Sequence, residues 1–231
     1  MSAPDPADRI HIVATADGSR TLHHPSYAQT YHSCHGALTE TQHVFIGLSG
    51  LHERLARGET HVLEVGIGTG LNLLATLSYA QQHRGVVHYT GIERDPPPVD
   101  LLRELAFNAL DGMDATVWET FLDAVEQRLH FAQLPGGSTL RFHWDDFDNF
   151  PFQQTRADII YHDGFSPEMN PELWSEDALK KLTSTLTPNG ALVTYTVQGA
   201  VRRALATLGL RVEKLPGPTH GKREVLRATR T

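Results

Sequence analysis

Residues 161–174 read YHDGFSPEMNPELW, so a strand-like run ends on an acid, Asp163, and the chain then turns through Pro167 and Pro171. Proline fixes its own φ, removes an N–H donor and restricts the residue before it. The corner therefore holds the carboxylate in one direction. A carboxylate held this way suits three tasks: capping a helix, orienting a substrate, or taking up a proton.

A second stretch, HVLEVGIGTGLN, sets Gly66, Gly68 and Gly70 between a strand and a helix. Glycine lets the chain turn sharply and a ligand come close to the backbone. The dinucleotide fingerprint is G-x-G-x-x-G with a pyrophosphate at the helix start. Here the spacing is G-x-G-x-G and Glu64 precedes it. An acid there disfavours a pyrophosphate and suits a ligand with positive charge, such as S-adenosylmethionine with its sulfonium and ammonium. Glu64, Gly66, Gly68, Gly70 and Asn72 form the candidate cofactor loop. VVHYTGIE ends in Glu93, placed to accept hydrogen bonds from both ribose hydroxyls of an adenosine. RFHWDDFDNF supplies Asp145 and Asp146, either of which can accept from the adenine amine or cap a helix. Together these acids favour S-adenosylmethionine over a nicotinamide dinucleotide.

The elements that must position these groups alternate. HVLEV, VVHYTGIE, STLRFHW, ADIIYHD and GALVTYT read as strands, with helices over GLNLLATLSYAQQH, most of 99–132, PELWSEDALKKLTSTL and AVRRALATLG. Such alternation predicts an α/β fold with a parallel sheet covered on both faces. LRVEKL and KREVLRAT flank PGPTHG and predict a closing antiparallel pair. Before the alternation, IHIVATADGSRTLHH alternates about Asp17–Gly18, a hairpin signal. The segment from Tyr31 then reads as a loop followed by a helix that ends near Gly58. The expected division is an N-terminal hairpin and loop extension, 1–36, and a catalytic domain, 37–231.

The 231 residues carry 40% hydrophobic and 20% charged side chains, enough for one α/β domain with a full core. The single cysteine, Cys34, excludes an internal disulfide framework and predicts a reducing, cytoplasmic setting. The opening MSAPDPADR lacks a signal-peptide pattern, and no apolar run is long enough to span a bilayer. The net charge of −7 does not suggest a nucleic-acid binder, yet the chain from Val197 onward carries eight basic residues against two acidic ones. That segment is either a solvated surface or an edge that contacts phosphates.

The segments LTETQHVF, EVGIGTGLNLL, GIERDPP, YHDGFSPEMNPELW, TYTVQGAVRRAL and GKREVL, in this order from about Tyr31 to Ala228, resemble the MnmC N-terminal-domain family, and YHSCHGALTETQHVFI its stand-alone MnmD-type members. The resemblance implies a class I methyltransferase with a Rossmann-like, mostly parallel seven-stranded sheet, helices on both faces, and an antiparallel C-terminal strand. It implies methyl transfer from S-adenosylmethionine to the primary amine of 5-aminomethyl-(2-thio)uridine at the tRNA wobble position. The anticodon loop is then the macromolecular partner and the protein is expected to act as a monomer. The flavin-dependent oxidase of the longer bifunctional relatives is not expected here. Met169 departs from the many relatives with a basic residue before Asn-Pro, which weakens the case for an RNA contact at that position.

In that family's fold the fourth strand delivers a residue to the transferable methyl, and Asp163 ends such a strand. A carboxylate there orients the acceptor amine and, secondarily, takes its proton. Phe165 and Asn170 are expected around the incoming base, with Trp174 at helical spacing and so assigned to the core. Tyr195 is expected to line the pocket. Lys222 and Arg223 are candidates for phosphate contacts, whereas adjacent Arg202 and Arg203 read as a solvated helix face. His162 points away from Asp163 if the strand alternates. The competing readings are a small-molecule N-methyltransferase on the same fold and a metal module around His32, Cys34 and His35. The second is disfavoured, because no paired ligand spacing is present. No metal is expected.

Overall fold

The structure is a computed structural model and describes residues 9–231. The opening segment judged for a signal peptide and the first part of the 1–36 extension lie outside the described residues, apart from Arg9 onward.

Six strands enter in the order predicted: β4 (Thr60–Val65), β5 (Val87–Ile92), β7 (Thr139–His143), β8 (Ala157–His162), β9 (Leu186–Thr194) and β11 (Glu224–Arg230), with β10 (Leu210–Pro216) before the last. The sheet has eight strands rather than seven, in the order β10-β11-β9-β8-β4-β5-β7-β6. The additional edge strand, β6 (Phe131–Gln133), pairs antiparallel with β7 and lies where a helix was expected to run to Ala132. That helical region is in fact α4 (Val99–Leu105) and α5 (Ala115–Gln127), separated by a short 3-10 turn. Arg128, in the left-handed conformation at φ +52°, stops α5 and frees the chain to pair as a strand.

Alternating side chains point to opposite faces of a strand. In β4 and β8, Val62 and Ile159 join one core while Leu63 and Ile160 join the other. The first core is closed by α3 (Leu71–Gln82) and α5, the second by α6 (Glu176–Ser184) and α7 (Gly199–Thr207). Ser175 caps α6 by accepting from the Ala178 amide, and Glu176 and Asp177 favour its N-terminal dipole.

From β4 the chain proceeds outward through β5 and β7, then returns to place β8 on the other side of β4 and continues to β9. The order therefore reverses between β4 and β8, and ligands of open α/β sheets bind at such a point, beyond the carboxyl ends of the strands. Val65 pairs with His162, and the Asp163 amide donates to the Val65 carbonyl at 3.0 Å. The glycine loop and the acidic corner thus leave the sheet side by side.

The N-terminal hairpin, β1 (His11–Ala14) with β2 (Arg20–His24), gains a third strand, β3 (Gln29–Thr30). The helix expected to run to Gly58 is instead α1 (Ala37–Glu40), a π-helix over Thr41–Gly47 and α2 (Leu51–Leu55). Gly50, at φ +77°, breaks the run. Among the described residues no helix is long and apolar enough to cross a membrane.

Candidate active site

A cavity of about 980 Å³ opens over the switch point. Eight carboxylate side chains line it, against Arg94 and Lys222 as the lysine and arginine contributions among the described residues. Such a site attracts cations.

The half beside β5 contains the glycine loop. Gly66 and Gly68 line the cavity, whereas Gly70 does not. At Gly70 the chain takes φ +79° to start α3, and a Cβ would sit 2.4 Å from the Phe121 ring. Its role is packing and turning rather than ligand contact. At Gly68 a Cβ would sit 2.6 Å from Tyr31, so the N-terminal extension presses directly on the loop. Glu93 lies where the ribose acid was expected, with Oε2 accepting from the Gly68 amide at 3.0 Å and Oε1 from the Asp95 amide at 2.9 Å. Burial raises its pKa. Asp145 accepts from the Asp146 amide and from Asn149, which lowers its pKa, while Asp146 pairs with Arg94 at 3.0 Å. Both expected adenine acceptors are therefore at the cavity with local partners already in place.

Glu64 corrects the expectation of direct contact. It is fully buried, does not line the cavity, and accepts from the Tyr89 hydroxyl at 2.7 Å and from Asn72 Nδ2 at 2.9 Å. Burial pushes its pKa up to about 8, against the lowering effect of those two hydrogen bonds. Asn72 likewise lies behind the cavity wall, and its Nδ2 also donates to Asp163 Oδ2 at 2.7 Å. Thr41 donates to Asn72 Oδ1 at 2.8 Å, which fixes the amide's orientation. Glu64 thus acts through Asn72, and Asn72 in turn holds one oxygen of Asp163. Glycines that admit a close ligand, a strand-end carboxylate and surplus negative charge fit the cationic nucleoside S-adenosylmethionine.

The other half holds Asp163. Its Oδ1 has no hydrogen-bond partner among the described residues. Burial raises its pKa well above the usual carboxylate range, with Glu40 and Glu64 adding to the effect. The turn that follows is tied down by the Met169 and Asn170 amides, both donating to the Ser166 carbonyl at 2.8 Å. Phe165 and Asn170 line the cavity. One face of Phe165 is stacked on Tyr27 at 4.1 Å between centroids, and Tyr31 meets it edge-on at 5.1 Å. Trp174 is core, stacked on His162 at 3.9 Å. His162 is fully buried and its Nε2 bonds the Leu173 carbonyl, as a packed histidine would.

Tyr195 lines the cavity and donates to the Gly164 carbonyl at 2.8 Å. Lys222, expected on a phosphate, instead reaches inward, with Nζ 3.6 Å from the centre of the Tyr195 ring. It lines the cavity, although the residue as a whole is exposed. Arg223 is exposed and does not line the cavity, and Arg202 and Arg203 are exposed on α7. In the basic C-terminal segment, Arg211 and Arg227 pair with Glu213, Lys214 pairs with Glu224, and Arg230 bonds the Thr183 carbonyl. His32 serves packing, bonding Thr69 at 2.7 Å in full burial that pulls its pKa down to about 4.

Tyr27, Tyr31, Glu40 and Thr41 were not singled out from the sequence. Glu40 and Thr41 lie within LTETQHVF, but helical spacing alone does not tell a buried acid from a solvated one. The aromatics of the extension carry no periodic signal.

The family model described as "S-adenosyl-L-methionine-dependent methyltransferase" matches residues 108–231. A tRNA 5-methylaminomethyl-2-thiouridine biosynthesis bifunctional protein MnmC from Burkholderia thailandensis is 35% identical over 227 residues, covering 93% of this chain and 34% of the relative. The chain spans about a third of the length of the curated relatives it matches. The solved structure of MNMC2 from Aquifex aeolicus superposes with a TM-score of 0.76 at 28% identity, covering 95% of this chain and 70% of that one. Magnesium protoporphyrin IX methyltransferase of Synechocystis with bound SAM shares the fold, at a TM-score of 0.52 and 14% identity.

Proposed function

The chain belongs to the S-adenosyl-L-methionine-dependent methyltransferase family, and from this premise we propose that it methylates the primary amine of 5-aminomethyl-(2-thio)uridine at the wobble position of tRNA. The observation that carries the reading is Asp163, anchored through Oδ2 by Asn72 at the strand end beside the glycine loop, with its other oxygen left for a ligand. The similarity to MnmC proteins over 93% of the chain supports tRNA as the acceptor.

When bound, S-adenosylmethionine would supply a methyl group activated by its sulfonium. The protein's part is positioning. Glu93 and the backbone of Gly66 and Gly68 would hold the cofactor's ribose. Asp163 accepts an N–H of the acceptor amine and turns its lone pair inward, which replaces a random encounter with a fixed approach. Tyr27, Tyr31 and Phe165 form an aromatic wall suited to an unstacked base. The exposed Arg202, Arg203 and Arg223 are suited to phosphates outside the acidic cavity. A cytoplasmic setting accords with the exposed, unpaired Cys34.

The test is nucleoside mass analysis of aminomethyluridine-bearing tRNA incubated with the protein and S-adenosylmethionine, beside an Asp163→Asn variant. One methyl gained at the wobble nucleoside, slowed at least about a hundredfold in the variant, supports acceptor and residue together. Cofactor binding with unchanged tRNA removes the tRNA reading and leaves a small-molecule amine as the acceptor to pursue.

A further inference from the structure

Asp163 has a neighbour that the proposed reaction has not used. Glu40 is the last residue of α1, 6% exposed, and lines the same cavity. Its Oε2 accepts from the Ser33 amide at 3.0 Å, and no protein donor among the described residues meets Oε1. The next residue, Thr41, begins the hydrogen-bond path through Asn72 to Asp163, so one turn of helix supplies both the acid and the support for its counterpart.

The charges facing Glu40 are few. Asp163 faces it as a second carboxyl group, the deeper Glu64 is kept mostly protonated at neutral pH by burial, Lys222 reaches in from the β10–β11 turn, and Glu168 interacts with Lys222 from the proline corner. Tyr195 presents its ring to Lys222, and His32 is neutral in its buried site. With Glu40, Asp163 and Glu168 ionised, Lys222 alone leaves this end of the cavity with negative charge in excess. An alkylammonium is drawn to that excess. An acceptor amine arrives mostly in that form, because primary alkyl amines titrate near about 10, and it has no lone pair to offer until a proton leaves.

We propose that Glu40 is a second catalytic carboxylate, which takes the proton of the acceptor ammonium while Asp163 orients the amine that remains. This rests on the amine-acceptor reading above. One N–H bond breaks and its proton passes to a Glu40 oxygen. The freed lone pair then forms the N–C bond as the donor's C–S bond breaks, with that electron pair staying on sulfur. Dividing the two tasks removes a conflict. A lone carboxylate that holds an ammonium tightly also raises the amine's pKa and keeps the lone pair occupied.

The test compares the pH dependence of kcat/KM on aminomethyluridine tRNA for wild type and Glu40→Gln, the amide retaining an acceptor for Ser33. Expected is a loss of about a hundredfold at pH 7, shrinking to a few-fold near pH 10, where the amine arrives neutral. S-adenosylhomocysteine affinity should stay within a few-fold. A loss that is the same at every pH, or no loss, overturns the proposal. Saturation-transfer NMR with benzylamine and benzyl alcohol, with S-adenosylhomocysteine bound, reads the subsite without tRNA. Wild type should prefer the amine, weakening as acidic pH protonates the carboxylates, and Glu40→Gln should lose the preference. No amine preference in wild type also overturns the proposal, whether or not the variant folds. If tRNA is left unmethylated while the Glu40-dependent amine preference holds, the tRNA reading fails and Glu40 stands.

Discussion

On the side of the cavity facing β5, the parts come from successive strand ends and backbone sterics hold them. Gly70 is packed against Phe121, and Glu93 is fastened to the loop by main-chain amides. On the side beneath the N-terminal sheet, the parts come from segments scattered from Tyr27 to Lys222, and side chains hold one another through Thr41, Asn72 and Asp163. The first arrangement tolerates any ligand that fits a close backbone. The second depends on protonation states and on hydrogen bonds with no spare donor. On the reading proposed above, the difference teaches where specificity resides: the cofactor side leans on backbone, whereas the acceptor side leans on a side-chain network.

Asn72 joins the two halves, so changing it should do the most damage. Asn72→Leu frees Asp163 and leaves Glu64 and Thr41 with unmet polar atoms in buried surroundings, each costing about 1–3 kcal/mol. We expect a loss of about a hundredfold or more in kcat/KM together with weaker cofactor binding, checked by methyl-transfer assays and calorimetry. Damage confined to the acceptor would show that the halves are independent. Gly70→Ala should break the backbone half alone. The new Cβ meets the Phe121 ring in a left-handed conformation, at a cost of about 2–3 kcal/mol. Denaturant melts should show that loss, with KM for the cofactor raised and KM for the acceptor nearly unchanged.

The gentlest test concerns Glu64. Its folded pKa of about 8 lies above its ordinary 4.5, so between these values the folded chain binds more protons than the unfolded one. Stability then falls as pH rises through that window. Ligand-free wild type should melt at progressively lower temperature from pH 5 to pH 8. Glu64→Gln, which keeps an acceptor for Asn72, should flatten that slope.

Much of the backbone-held half is legible in the chain itself. The spacing of Gly66, Gly68 and Gly70 and the acid closing β5 are local patterns, and local patterns record local sterics. The acidic corner at Asp163 is legible for the same reason, since prolines write their restriction into adjacent residues. The eighth strand was missed because three residues at a sheet edge carry too little periodicity, although Pro135-Gly136-Gly137 marks its turn. Lys222 was misplaced because charge alone does not say whether a lysine points outward, and the answer lies in Tyr195, 27 positions earlier in the sequence. Glu40 was passed over because its significance comes from Asp163 and Lys222, both far along the chain.

The π-helix at Thr41–Gly47 takes up an extra residue within a single segment. A π turn holds one residue more than an α turn, so removing a single residue from 41–47 would let α geometry close while the flanking residues keep their phase. At present Glu40 and Thr41 serve the polar cavity while Val44 and Phe45 fill the apolar core. With the extra residue gone, Glu40 on the flank would keep its place, and the residues inside the turn, Thr41 among them, would be the ones to shift. A one-codon deletion here would therefore bear first on the support that Thr41 gives Asn72, so the length of this segment is a heritable variable quite apart from which residues occupy it.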